Sequence, residues 1–101
     1  MLVHNVYFTL DDPTPQAIGR LLDSCKEHLS GHPGTGFFGC GVLAAQYQRP
    51  VNDRGFHVAL HVIFRTHADH DAYQSSERHQ RFLEENKPHW RQVRVFDSTV
   101  E

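Results

Sequence analysis

The sequence holds little of what several large functional classes require. Only two cysteines occur in 101 residues, Cys25 and Cys40, and their spacing is not that of a CxxC redox or zinc motif. Two reduced, packed thiols are expected, not a disulfide or a nucleophile. No apolar run approaches the roughly 20 residues that a membrane-spanning helix needs, so a membrane is not among the expected partners. A basic excess is missing too, since 10 lysines and arginines stand against 12 aspartates and glutamates. Arg78, Arg81, Lys87, Arg91 and Arg94 are interleaved with Glu77, Glu84, Glu85 and Asp97. A nucleic-acid partner needs a coherent basic face to displace counterions, and none is offered. The opening residues Met1-Leu2-Val3-His4-Asn5 run straight into a strand pattern without the basic, apolar and small-residue order of a secretory signal, which makes the cytoplasm the expected location.

What the chain does have is an ordinary globular composition, 39% hydrophobic and 22% charged, and nine scattered histidines. Its length fits one domain, residues 1–101, with no room for a second core. Residues 2–10 alternate, with His4, Val6, Phe8 and Leu10 on one side, as a half-buried strand does. Asp11 to Pro15 supply turn and cap chemistry, and Ile18, Leu21, Leu22, Cys25 and Leu29 recur at helical spacing up to Ser30-Gly31. Phe37 to Tyr47 reads as a second strand, in which Gly39 and Gly41 would let something pack closely. Beyond the polar turn 49–55, a third strand sets Phe56, Val58, Leu60, Val62 and Phe64 on one face and His57, Ala59, His61 and Ile63 on the other. Thr66-His67-Ala68-Asp69 resembles a capping box opening a short helix through Tyr73. A second helical piece from Ser75-Ser76 puts His79, Phe82 and Leu83 on one side, and Val93 to Ser98 forms the last strand.

The order βαββαβ is the split pattern of an α+β, ferredoxin-like sandwich with an antiparallel sheet and both helices on one face. Its other face would then carry Phe37, Leu43, Tyr47, Ala59 and Ile63 uncovered. So large an exposed apolar patch calls for a face-to-face homodimer.

Taken together, His4 in the first strand, Tyr73-x5-His79-x2-Phe82 in the second helical region, Trp90, and Val95-Phe96-Asp97 in the last strand resemble the stress-responsive α/β barrel domain family, in which two ferredoxin-like subunits close into one dimeric α+β barrel. The likeness spans essentially the whole chain. The family includes plant stress proteins and a plant polyketide cyclase, olivetolic acid cyclase, which carries out a cofactor-independent intramolecular aldol condensation. The resemblance implies Tyr73 and His79 as a catalytic pair and His4 as a further pocket histidine. Two positions depart from the cyclase: another of its pocket histidines falls on Val58, and its helix-one tyrosine falls near Lys26. These departures argue against a shared substrate.

Spacing gives the same three residues an independent reason to converge. His4 shares its strand side with core residues, and His79 shares its helix side with Phe82 and Leu83. A desolvated imidazole stays neutral and suits a general base, and a phenol beside it can orient it or bind an enolate. The expectation is a pocket for a small apolar or carbonyl-containing ligand walled by Phe8, Leu60, Phe82, Trp90 and Val95, with His79 as base, Tyr73 as its partner, His4 as a second polar contact, and neither cofactor nor metal. The rival reading is a non-catalytic, stress-related ligand-binding or structural dimer module in which these residues only bind or pack. Haem binding, which rests on fold analogy alone, stands below both. His57 and His61, about 13 Å apart along one strand side, cannot share a metal within a subunit. His67 and His70 lack a third ligand and read as a solvated helix face. Glu84-Glu85 reads as the outer face of a helix.

Overall fold

Strict alternation decides the middle of the sheet. In the computed structural model, which describes residues 1–101, β1 (Leu2–Leu10) buries every second residue from Leu2 to Leu10. It is an inner strand, flanked by β3 (Val58–Phe64) and β4 (Trp90–Thr99), both antiparallel to it. A fourth strand, β2 (Thr35–Val42), pairs antiparallel with β3 and completes the order β2-β3-β1-β4. Residues facing one another across the ladder share a sheet face, so His4 shares its face with Val62 and Asp97, and Val6 shares it with Leu60 and Val95.

That face is covered by three helices. Thr14 caps α1 (Pro15–Leu29) by accepting a hydrogen bond from the Ala17 N–H, and Pro15 fits the first turn, where no N–H is needed. Leu21, Cys25 and Leu29 then point into the core with at most 3% of their surface exposed. Thr66 caps α2 (His67–Gln74) in the same way through the Asp69 N–H, and the Thr66 hydroxyl donates back to the Asp69 carboxylate. Ser76 opens α3 (Glu77–Asn86) by accepting from the His79 N–H, and Lys87–His89 form a 3₁₀ turn leading into β4. Phe8, Leu60, Val62, Phe64, Tyr73 and Phe82 fill the layer between helices and sheet. Each such side chain contributes about 1.5–3 kcal/mol by leaving water. The fold is α+β and ferredoxin-like. No helix is long and apolar enough to cross a membrane.

Three details differ from the sequence reading. β2 ends at Val42, because the chain turns where the Tyr47 N–H meets the Ala44 carbonyl, so Leu43 and Tyr47 lie beyond the strand. β3 starts at Val58, not Phe56, and the alternation does not extend back through His57. Phe56 packs on Tyr7, ring centroids 4.9 Å apart, on the uncovered face, while His57 accepts a hydrogen bond at Nδ1 from the Leu10 N–H. Finally, nothing from another element closes on the strand glycines: the Phe37 ring lies over Gly39, and the space above Gly41 is open.

One glycine is demanded by the turn between α1 and β2. Gly34 adopts φ +81°, and a Cβ there would strike the Asp69 carboxylate that pairs with Thr66. Gly34→Ala is expected to lower the unfolding free energy by about 1–2 kcal/mol from backbone strain alone, read as a reduced urea midpoint. An unchanged midpoint would mean that the turn relaxes freely.

Candidate functional site

The two short helices meet at a serine pair that fixes both halves of the candidate site. Ser76 accepts from the His79 N–H, and its own N–H and hydroxyl donate to the Tyr73 carbonyl, at 3.2 and 2.8 Å. Tyr73 at the end of α2 and His79 at the start of α3 are thereby held on the same side, over β1. Their rings meet edge to face with centroids 4.9 Å apart, and the Tyr73 ring lies 5.8 Å from that of His4. The structure brings the three predicted residues together, all of them buried.

Two histidines that the sequence reading did not assign to the site join this cluster. The His32 ring, from the α1–β2 turn, stands 5.0 Å from Tyr73, and the His70 ring stands 5.1 Å from His4 and 5.5 Å from Phe64. His70 is therefore not on a solvated helix face, since only 14% of its side chain is exposed. With α2 only eight residues long, its pattern gave no signal of this. His67, by contrast, stays exposed and reaches the Thr99 hydroxyl.

Asp97 is the other residue not foreseen. The β1–β4 register sets it opposite His4, and its Oδ1 lies 2.5 Å from His4 Nδ1. An ionised carboxylate only accepts, so Nδ1 carries the donated proton and Nε2 keeps its lone pair. Burial lowers the His4 pKa below its usual 6.5, and the hydrogen bond and charge of Asp97 oppose that shift. His79 has no such counterweight. Burial, followed by the charges that His4, His32 and His70 would carry, pushes its pKa down to about 4. Burial also raises the Tyr73 phenol, which stays protonated. Tyr73 Oη and His79 Nδ1 are buried without a hydrogen-bond partner in the protein. Such unpaired atoms cost about 1–3 kcal/mol each, and they sit where a polar ligand atom could be received. Cys25, fully buried, has its thiol pKa raised by desolvation, which removes it as a nucleophile.

The predicted pocket walls are distributed differently. Phe8, Leu60 and Phe82 are closed into the core, 1–2% exposed, while Val95 stands half exposed on β4. Trp90 packs on Phe8 with centroids 4.9 Å apart. It also lines a cavity of about 460 Å³ between α1, the end of α3 and the 3₁₀ turn. A second cavity of about 460 Å³ lies on the uncovered sheet face among Asn5, Tyr7, Asp53, Phe56, Arg94 and Phe96. Neither is lined by His4, Tyr73 or His79.

No curated protein matches the sequence. Among solved structures the chain is similar to a Dabb family protein with a ferredoxin-like fold from Mesorhizobium loti, at 22% identity and TM-score 0.80 over 99% of this chain and 96% of that one. It is also similar to a dimeric ferredoxin-like protein of unknown function from Thermobifida fusca, at 14% identity and TM-score 0.81 over 98% and 90%. A hydroxynitrile lyase from Passiflora edulis matches at 17% identity and TM-score 0.77 over 99% and 93%. The stress responsive A/B barrel domain family matches residues 2–100, and to that family this chain belongs.

Proposed function

We propose that the chain works as a homodimeric barrel protein that binds a small carbonyl-containing ligand among His4, Tyr73 and His79 and promotes cofactor-free proton abstraction next to the carbonyl. The observation that carries this reading is the pairing of an oriented base with unpaired donors in one buried cluster. Asp97 holds His4 in the tautomer that leaves Nε2 as acceptor and stabilises the imidazolium formed when it takes the proton, the role a carboxylate plays behind a catalytic histidine. This moves the base from His79, where the sequence reading put it, to His4. With its low pKa, His79 is a weak base but a sound neutral hydrogen-bond partner, as a neutral imidazole facing a developing oxyanion should be. The Tyr73 phenol is the second donor to that enolate oxygen. Phe82, its ring centroid 6.4 Å from that of His79, with Phe8 and Trp90 packed behind it, supplies apolar surroundings for the ligand.

The dimer is supported by the uncovered sheet face, where Phe37 and Phe96 are more than half exposed and Tyr7 packs edge to face on Phe96. The Thermobifida fusca neighbour is described as dimeric, and the Passiflora edulis lyase places small-molecule chemistry on a similar fold.

Asp97→Asn tests the assignment. It leaves the side-chain volume nearly unchanged but no longer favours the donor tautomer or the imidazolium of His4. Screened against β-keto and aromatic carbonyl compounds for α-proton exchange with deuterated water, the wild type is expected to exchange and Asp97→Asn to be slower by about 10²–10⁴-fold, the usual worth of a positioned general base. Exchange at the wild-type rate in Asp97→Asn would remove His4 as the base. No exchange by the wild type with any such compound would favour the non-catalytic module.

A further inference from the structure

Away from this cluster, the helix pair α1–α3 holds a second group of ligating side chains. His28, only 6% exposed, projects from α1 toward Glu85 on α3. Its Nε2 lies 3.1 Å from each of the two Glu85 oxygens and 3.7 Å from Glu27 Oε2. One buried ring nitrogen thus faces three carboxylate oxygens from two helices, an arrangement of donor atoms that a single cation can bridge. We propose that Glu27, His28 and Glu85 form a binding site for one divalent transition-metal ion of the zinc type, clamped between α1 and α3.

The distances fit that role. Metal–ligand bonds of about 2.0–2.2 Å arranged tetrahedrally put ligand atoms about 3.3–3.5 Å from one another, and the separations of 3.1 and 3.7 Å bracket this value. The donor atoms of the three residues all lie within 4.8 Å of one another. The other group with suitable donors, His4, His70 and Asp97, fails the same test, because His4 and Asp97 at 2.5 Å are too close to be two ligands of one ion. Imidazole together with carboxylate selects zinc-like ions over magnesium or calcium, and two carboxylates balance the charge of a divalent ion.

The surroundings supply the support that metal ligands usually have. The buried Ser24 hydroxyl donates to Glu85 Oε2 at 3.0 Å, and the buried Asn86 amide donates to Ser24 Oγ and to the Phe82 carbonyl, both at 2.8 Å. Two buried polar residues thus orient one largely exposed carboxylate, far more than a surface ion pair worth under about 1 kcal/mol would call for. Glu85 is accordingly not a free outer-face residue. Glu27, Glu85 and Ser24 also line the cavity beside Trp90, which leaves room next to the site for a water or a small anionic ligand.

Zinc is the probe. Purified full-length protein is titrated with Zn²⁺ against a chromophoric chelator, and with Co²⁺ for its visible ligand-field bands. The expected result is one saturable site per chain, weakened at least tenfold in His28→Gln and in Glu85→Gln and unchanged in His70→Ala. Glu27→Gln, at an exposed helix position, is expected to weaken binding without altering the metal-free melting temperature, which separates lost ligation from lost folding. Weak, unsaturable binding shared among the nine histidines, wild-type affinity in Glu27→Gln or in His28→Gln, or loss of the site in His70→Ala would each overturn the proposal.

Discussion

Tyr73→Phe is expected to yield a more stable protein that no longer works. The Tyr73 hydroxyl is buried and has no partner within the fold, so deleting it removes an unpaired polar atom and leaves the ring contacts with His4, His32, Phe64 and His79 in place. A net gain of about 1 kcal/mol is expected once the missing oxygen volume is allowed for. In a domain of this size that corresponds to a rise of about 4–8 °C in melting temperature. Proton-exchange activity is expected to fall about 10²–10³-fold, as when one donor to an oxyanion is lost. Opposite movements of stability and activity mark a residue kept for function at a cost to the fold. Calorimetry beside the exchange assay decides the matter. A Tyr73→Phe variant that melts lower than the wild type would show that the hydroxyl is a packing element with a partner.

Acidification is expected to weaken the fold before its carboxylates are protonated. His79 and His4 are buried in their neutral forms, with pKa values held below 6.5, that of His79 at about 4. Above pH 6.5 neither the folded nor the unfolded chain protonates them, and the stability from neutral burial is fully present. Between pH 6.5 and about 4 the unfolded chain takes up protons that the folded chain refuses, so stability falls as pH falls. The slope tends toward about 1.4 kcal/mol per pH unit for each such proton. Below about 4 the folded His79 also protonates and its share of the slope ends. Urea midpoints taken from pH 7.5 to 5 are expected to decline in the wild type and to decline less in His79→Gln. A flat wild-type profile over that window would contradict neutral burial of both imidazoles.

Much of the fold was legible because β1, β3 and α1 carry their periods openly. The pattern of His4, Val6, Phe8 and Leu10 recurs in the burial of β1, and the capping residues Thr66 and Ser76 stand where α2 and α3 begin. His4 and His79 were legible for the same reason, since each shares a side with core residues, whereas Tyr73 was implied by the resemblance. Asp97 was not, because its meeting with His4 depends on cross-strand register, which alternation within β4 does not reveal. Phe56 was misplaced because alternation was extended past the point where the ladder begins, and a one-residue slip inverts the face of a side chain. His70 was misread because α2 is only eight residues long, too short for its pattern to distinguish a buried side from a wet one. The Glu27–His28–Glu85 group joins residues of two helices, His28 and Glu85 lying 57 apart in sequence, a proximity no local spacing encodes.

The arrangement of β1 also sets the order in which the chain can assemble. Its neighbours are β3 and β4, so β1, synthesised before both, cannot complete its ladder until β4 has followed. The Met1 amino group meets the Val100 carbonyl across a separation of 99 residues, and Leu2 pairs with Thr99. Closing so long a loop early is entropically unfavourable. The nascent domain therefore passes through a stage in which an apolar strand edge waits unpaired, when it is most exposed to pairing with the wrong chain. Linking the adjacent ends and opening the chain in the polar stretch 49–55 would turn β4–β1 into a local hairpin and shorten that stage.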